Sequence, residues 1–456
     1  MSLGVIILAA GQGTRMRSRL PKVLHRVAGR PMLDHVIDTA LALDGERISV
    51  VYGHGAESVI AHLDGQGVDA VLQESQEGTA HAVKQALPAM QDVDHILVLY
   101  GDVPLIRPAT LNPLLDALQH AKLAVLTTEL DQPTGYGRIV RDGHGQLTKI
   151  VEEKDASDAE RSLREVNTGI LAAEREALER WIDGIGNDNA QSEYYLTDCV
   201  ALAVHEGSGV AGVRCQDAME VSGINDRAQL AAVEAYAQRR TAADLMTQGV
   251  TLLDPASLRV RGRVRIGVDV EIDANVELAG EVIIGDDVHI GANCVIRDSE
   301  IEAGAEILPM CVIEQARVGS GSRVGPFARL RPGAELAGGN HIGNFVEIKN
   351  SQIGQGSKVN HLSYVGDTTM GSQVNIGAGT ITANYDGANK HRTVIEDNAS
   401  TGSNSVLVAP VTVGKGATLG AATVLRKTAP EGKLTLTATK QTTVDGWKRP
   451  EKKQEK

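Results

Sequence analysis

An aliphatic ladder in the second half of the chain limits its fold more than any other feature. Aliphatic residues recur every sixth position as Ile266, Ile272, Leu278, Ile284, Ile290 and Ile296. After a slip to five residues the run resumes as Ile301, Ile307 and Ile313. It slips again to Val318, Val324, Leu330, Leu336, Ile342 and Ile348, then to Ile353, Val359 and Val365, then to Met370 and Ile376. A helix repeats its faces roughly every 3.6 residues and a strand every two, so neither explains a period of six. A triangular solenoid does, because each flat wall contributes one inward aliphatic residue stacked on its counterpart one coil away. Slips after three or six steps make three hexads one complete coil. Glycine follows many of the ladder positions, as at Gly267, Gly285 and Gly291, where a sharp corner leaves little room for a side chain. The period is lost between Ile376 and Leu407 and returns as Leu407, Val413 and Leu419. A polar insertion in a solenoid projects outward, and such loops commonly carry function.

The remaining half is built differently. Short apolar runs at 5–8, 48–51, 96–99, 124–128 and 210–213 alternate with amphipathic stretches such as 32–43 and 80–87. Apolar runs without polar alternation, separated by helices, predict an α/β domain with a mostly parallel sheet covered on both faces. Residues 226–248 read as one alanine-rich helix, with Asp226 and Gln229 as a capping box and Gly249 as its stop. The expected organisation is an α/β domain over 1–225, a linker helix over 226–249 and the solenoid with its tail over 250–456.

Composition narrows the function classes. The 456 residues exceed what one core usually holds. With 2 Trp, 8 Tyr and 2 Phe, aliphatic side chains must do most of the packing. A net charge of −13 argues against a general nucleic-acid binder, so a phosphate site would be a local exception. Cys199, Cys215, Cys294 and Cys311 have neither the density of a disulfide framework nor CxxC spacing; buried reduced thiols are expected. No apolar run approaches the roughly 18 residues of a membrane span. The opening MSLGVIILAAG lacks the basic flank and apolar length of a signal segment and reads as a buried first strand. A soluble, cytoplasmic chain is expected, with no membrane or nucleic-acid partner.

Two segments of the first half carry chemistry. Leu8-Ala9-Ala10-Gly11-Gln12-Gly13-Thr14-Arg15-Met16 follows the first strand, and Lys22 stands behind Pro21. Small residues let backbone N–H groups approach an anion or a base edge, and Arg15 adds fixed positive charge. The same segment also reads as a plain tight turn: a third glycine is missing at Met16 and there is no GK[ST]. Tyr100-Gly101-Asp102 ends the 96–99 strand, where α/β folds bind ligands. A lone carboxylate there suits Mg²⁺ held through waters and phosphates, or caps the next turn.

Taken together, LAAGxGTRM…PK and GDVPL resemble the sugar-1-phosphate nucleotidylyltransferases. With the hexads and their insertion, nearly the whole chain resembles the family of bifunctional N-acetylglucosamine-1-phosphate uridylyltransferase / glucosamine-1-phosphate N-acetyltransferases. The resemblance implies that Leu8, Ala9, Ala10 and Gly11 hold the uracil nucleotide and that Arg15 and Lys22 neutralise the triphosphate. Gln73, Gly78 and Thr79 correspond to the uracil-recognising segment, and Tyr100, Gly101 and Asp102 to ligand-lining positions. Gly137, Glu152 and Asn167 correspond to sugar contacts, and Asp102 and Asn225 to the ligands of Mg²⁺. In-line attack of an already ionised phosphate on UTP needs positioning and charge neutralisation rather than a general base.

Acetyl transfer to an amine does need a base, since an ammonium is not a nucleophile. Among the solenoid histidines the resemblance singles out His361, although a histidine on a β-helix face is usually inert. It implies that Arg331, Lys349, Tyr364 and Asn375 bind glucosamine-1-phosphate. Ala378, Asn384, Tyr385, Ser403 and Ala421 correspond to acetyl-CoA contacts. The last coenzyme position departs from the family, with Ala438 in place of the usual Arg and Lys440 two residues on. The resemblance further implies a left-handed β-helix, a homotrimer with acetyl-transfer sites between chains, and a product feeding peptidoglycan and lipopolysaccharide (lipid A) synthesis. A single-function nucleotidylyltransferase with an inert solenoid is the rival reading. The basic tail 447–456 reads as a mobile segment or as an arm over a phosphate ligand.

Overall fold

The computed structural model describes residues 2–11, 13–53, 56–438 and 440–450. Gln12 of the glycine-rich segment and residues 451–456 of the basic tail lie outside the described residues. Two compact units divide at Thr241 and Ala242, inside the helix Arg227–Thr247.

The main sheet of the first unit runs in the order Val210–Arg214, Leu123–Glu129, Glu165–Glu174, His95–Tyr100, Leu3–Leu8, Arg47–Tyr52 and Asp69–Leu72. Alternate residues of its central strand feed two different cores. Val5 and Ile7 pack with Leu33, Val36 and Ile37, whereas Ile6 and Leu8 pack with Val83 and Trp181. Burial on both faces is why these strands read as continuous apolar runs. The sheet is mostly parallel, as expected, and carries one antiparallel strand. Glu165–Glu174 is antiparallel to both neighbours and leads, through Val166, to the small pair Arg138–Arg141 and Leu147–Val151. Its polar first half, Glu-Val-Asn-Thr-Gly, hid it from a search for apolar runs.

The chain order reverses between Leu3–Leu8 and His95–Tyr100, which are parallel neighbours with Leu8 opposite Tyr100. At such a switch point the connections diverge to opposite sides of the sheet and leave a crevice at the carboxyl ends. The segments after Leu8 and after Tyr100 therefore face the same crevice.

In the second unit the hexads stack as a parallel β-helix. Ile266 pairs with Ile284, Ile284 with Ile301, Ile301 with Val318 and Val318 with Leu336. Ile284, Ile290 and Ile296 lie in one shared interior, 2%, 0% and 0% exposed. Each side chain so buried contributes roughly 1.5–3 kcal/mol, the role that large rings play in richer cores. The loss of period after Ile376 is shorter than the sequence suggests. Thr382 and Thr401 occupy the inward positions at 1% and 3% exposure, in register with Leu407 and Leu419, and Ile395 pairs with Met370. Their hydroxyls are satisfied inside the solenoid: Thr382 Oγ1 donates to Gly366 O at 3.1 Å, and Thr401 Oγ1 accepts from Gly377 N at 2.9 Å. The outward loop is thus shorter than the sequence suggests. It lies between the strands Ile381–Ala383 and Thr393–Ile395.

Asp226 accepts from the amide of Gln229 at 2.8 Å, as expected of a cap, but Gln229 reaches back to Asn225 N rather than to Asp226. Val233 and Ala237 pack with Val27, Met32 and Leu105, while Leu245 joins the solenoid core.

Candidate functional site

A cleft of about 520 Å³ opens at the switch point of the first unit. Of the residues singled out from sequence, Leu8, Ala9, Ala10, Gly11, Lys22, Gln73, Gly78, Thr79, Tyr100 and Asp102 line it. The amide of Gly101 donates to Leu8 O at 2.9 Å and that of Gln73 to Tyr52 O at 2.8 Å, which ties four strand ends together in two pairs. Gly13 has φ +60, and a Cβ there would lie 2.7 Å from Lys22 Cβ. The bare backbone lets Lys22 pack against the loop. Gly78, at φ +116, similarly meets Tyr194 O within 2.5 Å of where a Cβ would sit.

The Lys22 ammonium is the centre of the site. It donates to the Asp102 carboxylate and, at 3.1 Å, to Asn225 Oδ1. Two side-chain oxygens from distant segments therefore converge on one positive centre. A carboxylate and an amide oxygen are also the donors a hard cation takes, so the set fits Mg²⁺. Arg15 lies on the turn Thr14–Met16, exposed and without a hydrogen bond or ion pair among the described residues.

Gly137, Glu152 and Asn167 form a second group. Asn167 N donates to Gly137 O at 2.9 Å, and the Glu152 carboxylate lies 3.3 Å from where a Cβ on Gly137 would sit. Glu152 accepts from Thr197 Oγ1 at 3.1 Å, whereas the adjacent Glu153 is paired with the buried Arg138 at 2.7 Å. Burial holds the Glu152 carboxyl above the ordinary range, and Asp198 and Asp155 push the same way against the Thr197 hydroxyl. Burial also raises the Tyr100 phenol, with Glu152 and Asp102 adding to it, so both groups lie in one field. Gln76 and Glu193 also line the cleft, and Gln76 Nε2 donates to Ala10 O at 2.6 Å. The sequence reading missed both residues; Glu193 reaches the cleft through the pairing of Tyr194 with Glu77, which no local pattern signals.

On the solenoid, one column runs through four expected positions. The amide of Gly379 donates to His361 O, that of Asn404 to Ala378 O, and that of Ala422 to Ser403 O, at 3.1, 2.7 and 2.8 Å. His361, Ala378, Ser403 and Ala421 thus occupy equivalent places on successive coils. Beyond the imidazole the wall is smooth: a Cβ on Gly377 or Gly402 would strike the next coil within 2.5 Å. Asn375 is exposed on the same wall.

Arg331, Lys349 and Tyr364 lie on the next wall. Arg331 is paired with Glu347 at 2.8 Å, and Glu347 is in register with Tyr364. Lys390 of the outward loop lies against Lys349, and its charge holds the Lys349 ammonium below the ordinary lysine value. Asp367 sits beneath this cluster at 6% exposure and accepts from Asn350 and Asn384. Burial would raise its carboxyl, but the two amides and the charges of Lys349 and Lys390 outweigh burial and hold it low. Lys390 and Asp367 were not singled out from sequence; the Lys-His-Arg run in the insertion signals the first, and nothing local signals the second. Tyr385 and Lys440 are exposed. Among the described residues, no hydrogen bond or ion pair joins His361 to Arg331, Lys349 or Tyr364.

A family model of MobA-like NTP transferase domains matches residues 5–168. Bacterial transferase hexapeptide repeats match 263–298, and a hexapeptide repeat of succinyl-transferases matches 392–427. The bifunctional protein GlmU of Ralstonia nicotianae (strain ATCC BAA-1114 / GMI1000) is 56% identical over 450 residues, covering 99% of each chain. The chain belongs to the GlmU family. The GlmU protein of Azoarcus sp. (strain BH72) is also 56% identical, covering 98% of this chain and 99% of its own. That of Marinobacter nauticus (strain ATCC 700491 / DSM 11845 / VT8) is 52% identical over 99% of both. Like its family, this chain is a bifunctional transferase of UDP-N-acetylglucosamine synthesis, pairing a uridylyltransferase of Rossmann-like fold with a hexapeptide β-helix acetyltransferase. No helix among the described residues is long and apolar enough to cross a membrane.

Proposed function

We propose that the solenoid acetylates glucosamine-1-phosphate with acetyl-CoA, using His361 as base. The switch-point cleft then couples the resulting N-acetylglucosamine-1-phosphate to UTP. The convergence of Lys22, Asp102 and Asn225 on one point carries the second half of this reading.

In the cleft, a phosphate oxygen of the sugar attacks the α-phosphorus of UTP, the bond to the bridging oxygen breaks, and pyrophosphate leaves. Gly11 and its neighbours offer bare backbone to the nucleotide, and the Glu152 group faces the sugar. Arg15 and Lys22 meet the triphosphate charge. Asp102 and Asn225 would hold Mg²⁺, which when bound supplies further neutralisation of the phosphate oxygens. On the solenoid, His361 Nε2 takes a proton from the amine as the nitrogen attacks the thioester carbonyl. The carbon–sulfur bond then breaks, the sulfur takes the proton back from His361 Nε2, and coenzyme A leaves as its thiol. Arg331 and Lys349, with Lys390 beside them, form a cationic patch suited to the sugar phosphate.

His361 and that patch lie on different walls, and in our reading a second copy of the chain packed beside them encloses the site, as in a homotrimer. A column of large apolar residues supports the assembly. Met310, Phe327, Phe345 and Leu362 occupy corresponding corners of successive coils at φ 65, 57, 56 and 50, and are 45–64% exposed. Left-handed backbone costs such residues roughly 1–2 kcal/mol each, and Asn or Asp holds many other corners. The rings of Phe327 and Phe345 stack at 5.4 Å, forming a seam beside His361. Phe345→Glu is expected to convert trimers to monomers in sedimentation velocity, with acetyl transfer falling alongside. A trimer of unchanged mass would reject the seam.

The setting we propose is the cytoplasm, with the product feeding peptidoglycan and lipopolysaccharide synthesis. The deciding assay supplies glucosamine-1-phosphate, acetyl-CoA and UTP, and follows thiol release and UDP-N-acetylglucosamine separately. Both signals are expected. A protein that uses N-acetylglucosamine-1-phosphate but releases no thiol would instead be a single-function nucleotidylyltransferase.

A further inference from the structure

We infer that Asn344 is a positioning residue for the acetyl-transfer base, fixing the tautomer of His361; this rests on the role given to His361 above. Asn344 ends the strand His341–Asn344 and is directly in register with His361 at the end of Lys358–His361. The two side chains meet across the coils, with His361 Nδ1 3.0 Å from Asn344 Oδ1. An amide oxygen only accepts, so Nδ1 carries the proton. The neutral ring must then present its lone pair at Nε2, the nitrogen that faces away from Asn344. A free imidazole divides its proton between both nitrogens and turns about its own bonds. Here the bond to Asn344 removes both freedoms. The ring is further framed from its own backbone, because His361 O accepts from Ser363 Oγ at 2.8 Å and from Gly379 N at 3.1 Å.

Asn344 also brings no charge to the ring. An aspartate at position 344 would orient the ring equally well but would favour the imidazolium, raising its pKa. The charged and titratable groups around the imidazole are few. Arg323, already paired with Glu306 at 3.1 Å, and His341 share the adjoining cleft, and Lys358 lies on the same strand as His361. The next coil contributes Ala378 and Gly379, which carry no charge. None of these changes when residue 344 is replaced.

The test compares Asn344→Leu, Asn344→Asp and His361→Ala in the full chain. Acetyl transfer is followed as kcat and KM across pH, and uridylyl transfer serves as the measure of intact folding. Asn344→Leu is expected to lower kcat for acetyl transfer by about 10–100-fold, the usual effect of removing an orienting partner, with KM within about twofold. Asn344→Asp is expected to move the acid limb of kcat/KM upward by about one pH unit and to recover most of the wild-type rate above that limb. Wild-type rates and limbs in both variants would overturn the inference. So would equal losses in both without movement of the limb, since a structural role alone behaves that way. If His361→Ala itself retains acetyl transfer, the base assignment fails, a result distinct from failure at Asn344.

Discussion

Replacing His361 with alanine is expected to reduce acetyl transfer by roughly 10²–10⁴-fold, the range a positioned general base supplies. Uridylyl transfer should remain within a few-fold of wild type. The expectation follows from where the residue sits. His361 is exposed at a strand end of the second compact unit and packs into neither core, so its loss leaves no cavity. The backbone bonds from Gly379 and to the inner wall do not involve the ring. What disappears is a proton acceptor placed in line with the smooth column of Ala378, Ser403 and Ala421. Thiol release with glucosamine-1-phosphate measures the loss, and conversion of N-acetylglucosamine-1-phosphate with UTP provides the comparison. A parallel fall in both activities would show that the sites are not independent. An unchanged rate of thiol release would remove His361 from the mechanism.

The extent to which the sequence revealed these features depends on how local each signal is. The solenoid was legible because its core is written once per wall at constant spacing, and Ile266 to Ile376 needs no tertiary knowledge. Where threonine replaced the aliphatic residue, at Thr382 and Thr401, the same inward positions became invisible, because a buried hydroxyl satisfied by backbone looks polar in sequence. The glycine-rich segment and Asp102 were legible as ends of apolar strands. Glu193, Gln76 and Asp367 were not, since each reaches its site by pairing with residues far along the chain. The resemblance to a known family supplied Glu152, Asn167 and Asn225, none of which has a local pattern of its own. The antiparallel strand Glu165–Glu174 escaped for a different reason: only its second half is apolar on both faces.

Asp102→Ala is expected to remove uridylyl transfer by about 10³-fold or more while leaving acetyl transfer within a few-fold. Asp102 does two things at once. It balances the Lys22 ammonium, and it offers the only carboxylate of the oxygen pair that would hold the metal. The side chains of Lys22 and Asp102 are 13% and 15% exposed, so removing one leaves the other largely buried with less compensation. Acetyl transfer, measured on the same preparation, separates a local fault from a failure to fold. Asp102→Asn sharpens the test, since it keeps an oxygen for Lys22 but deletes the charge. If the carboxylate works through the cation, Mn²⁺ binding followed by proton relaxation should weaken in both variants, and raising Mg²⁺ should recover part of the activity by mass action. If it only anchors Lys22, Asp102→Asn should retain most of the activity with an unaltered Mg²⁺ response. That second outcome would leave the lysine as the essential cation and dismiss Asp102 as a metal ligand.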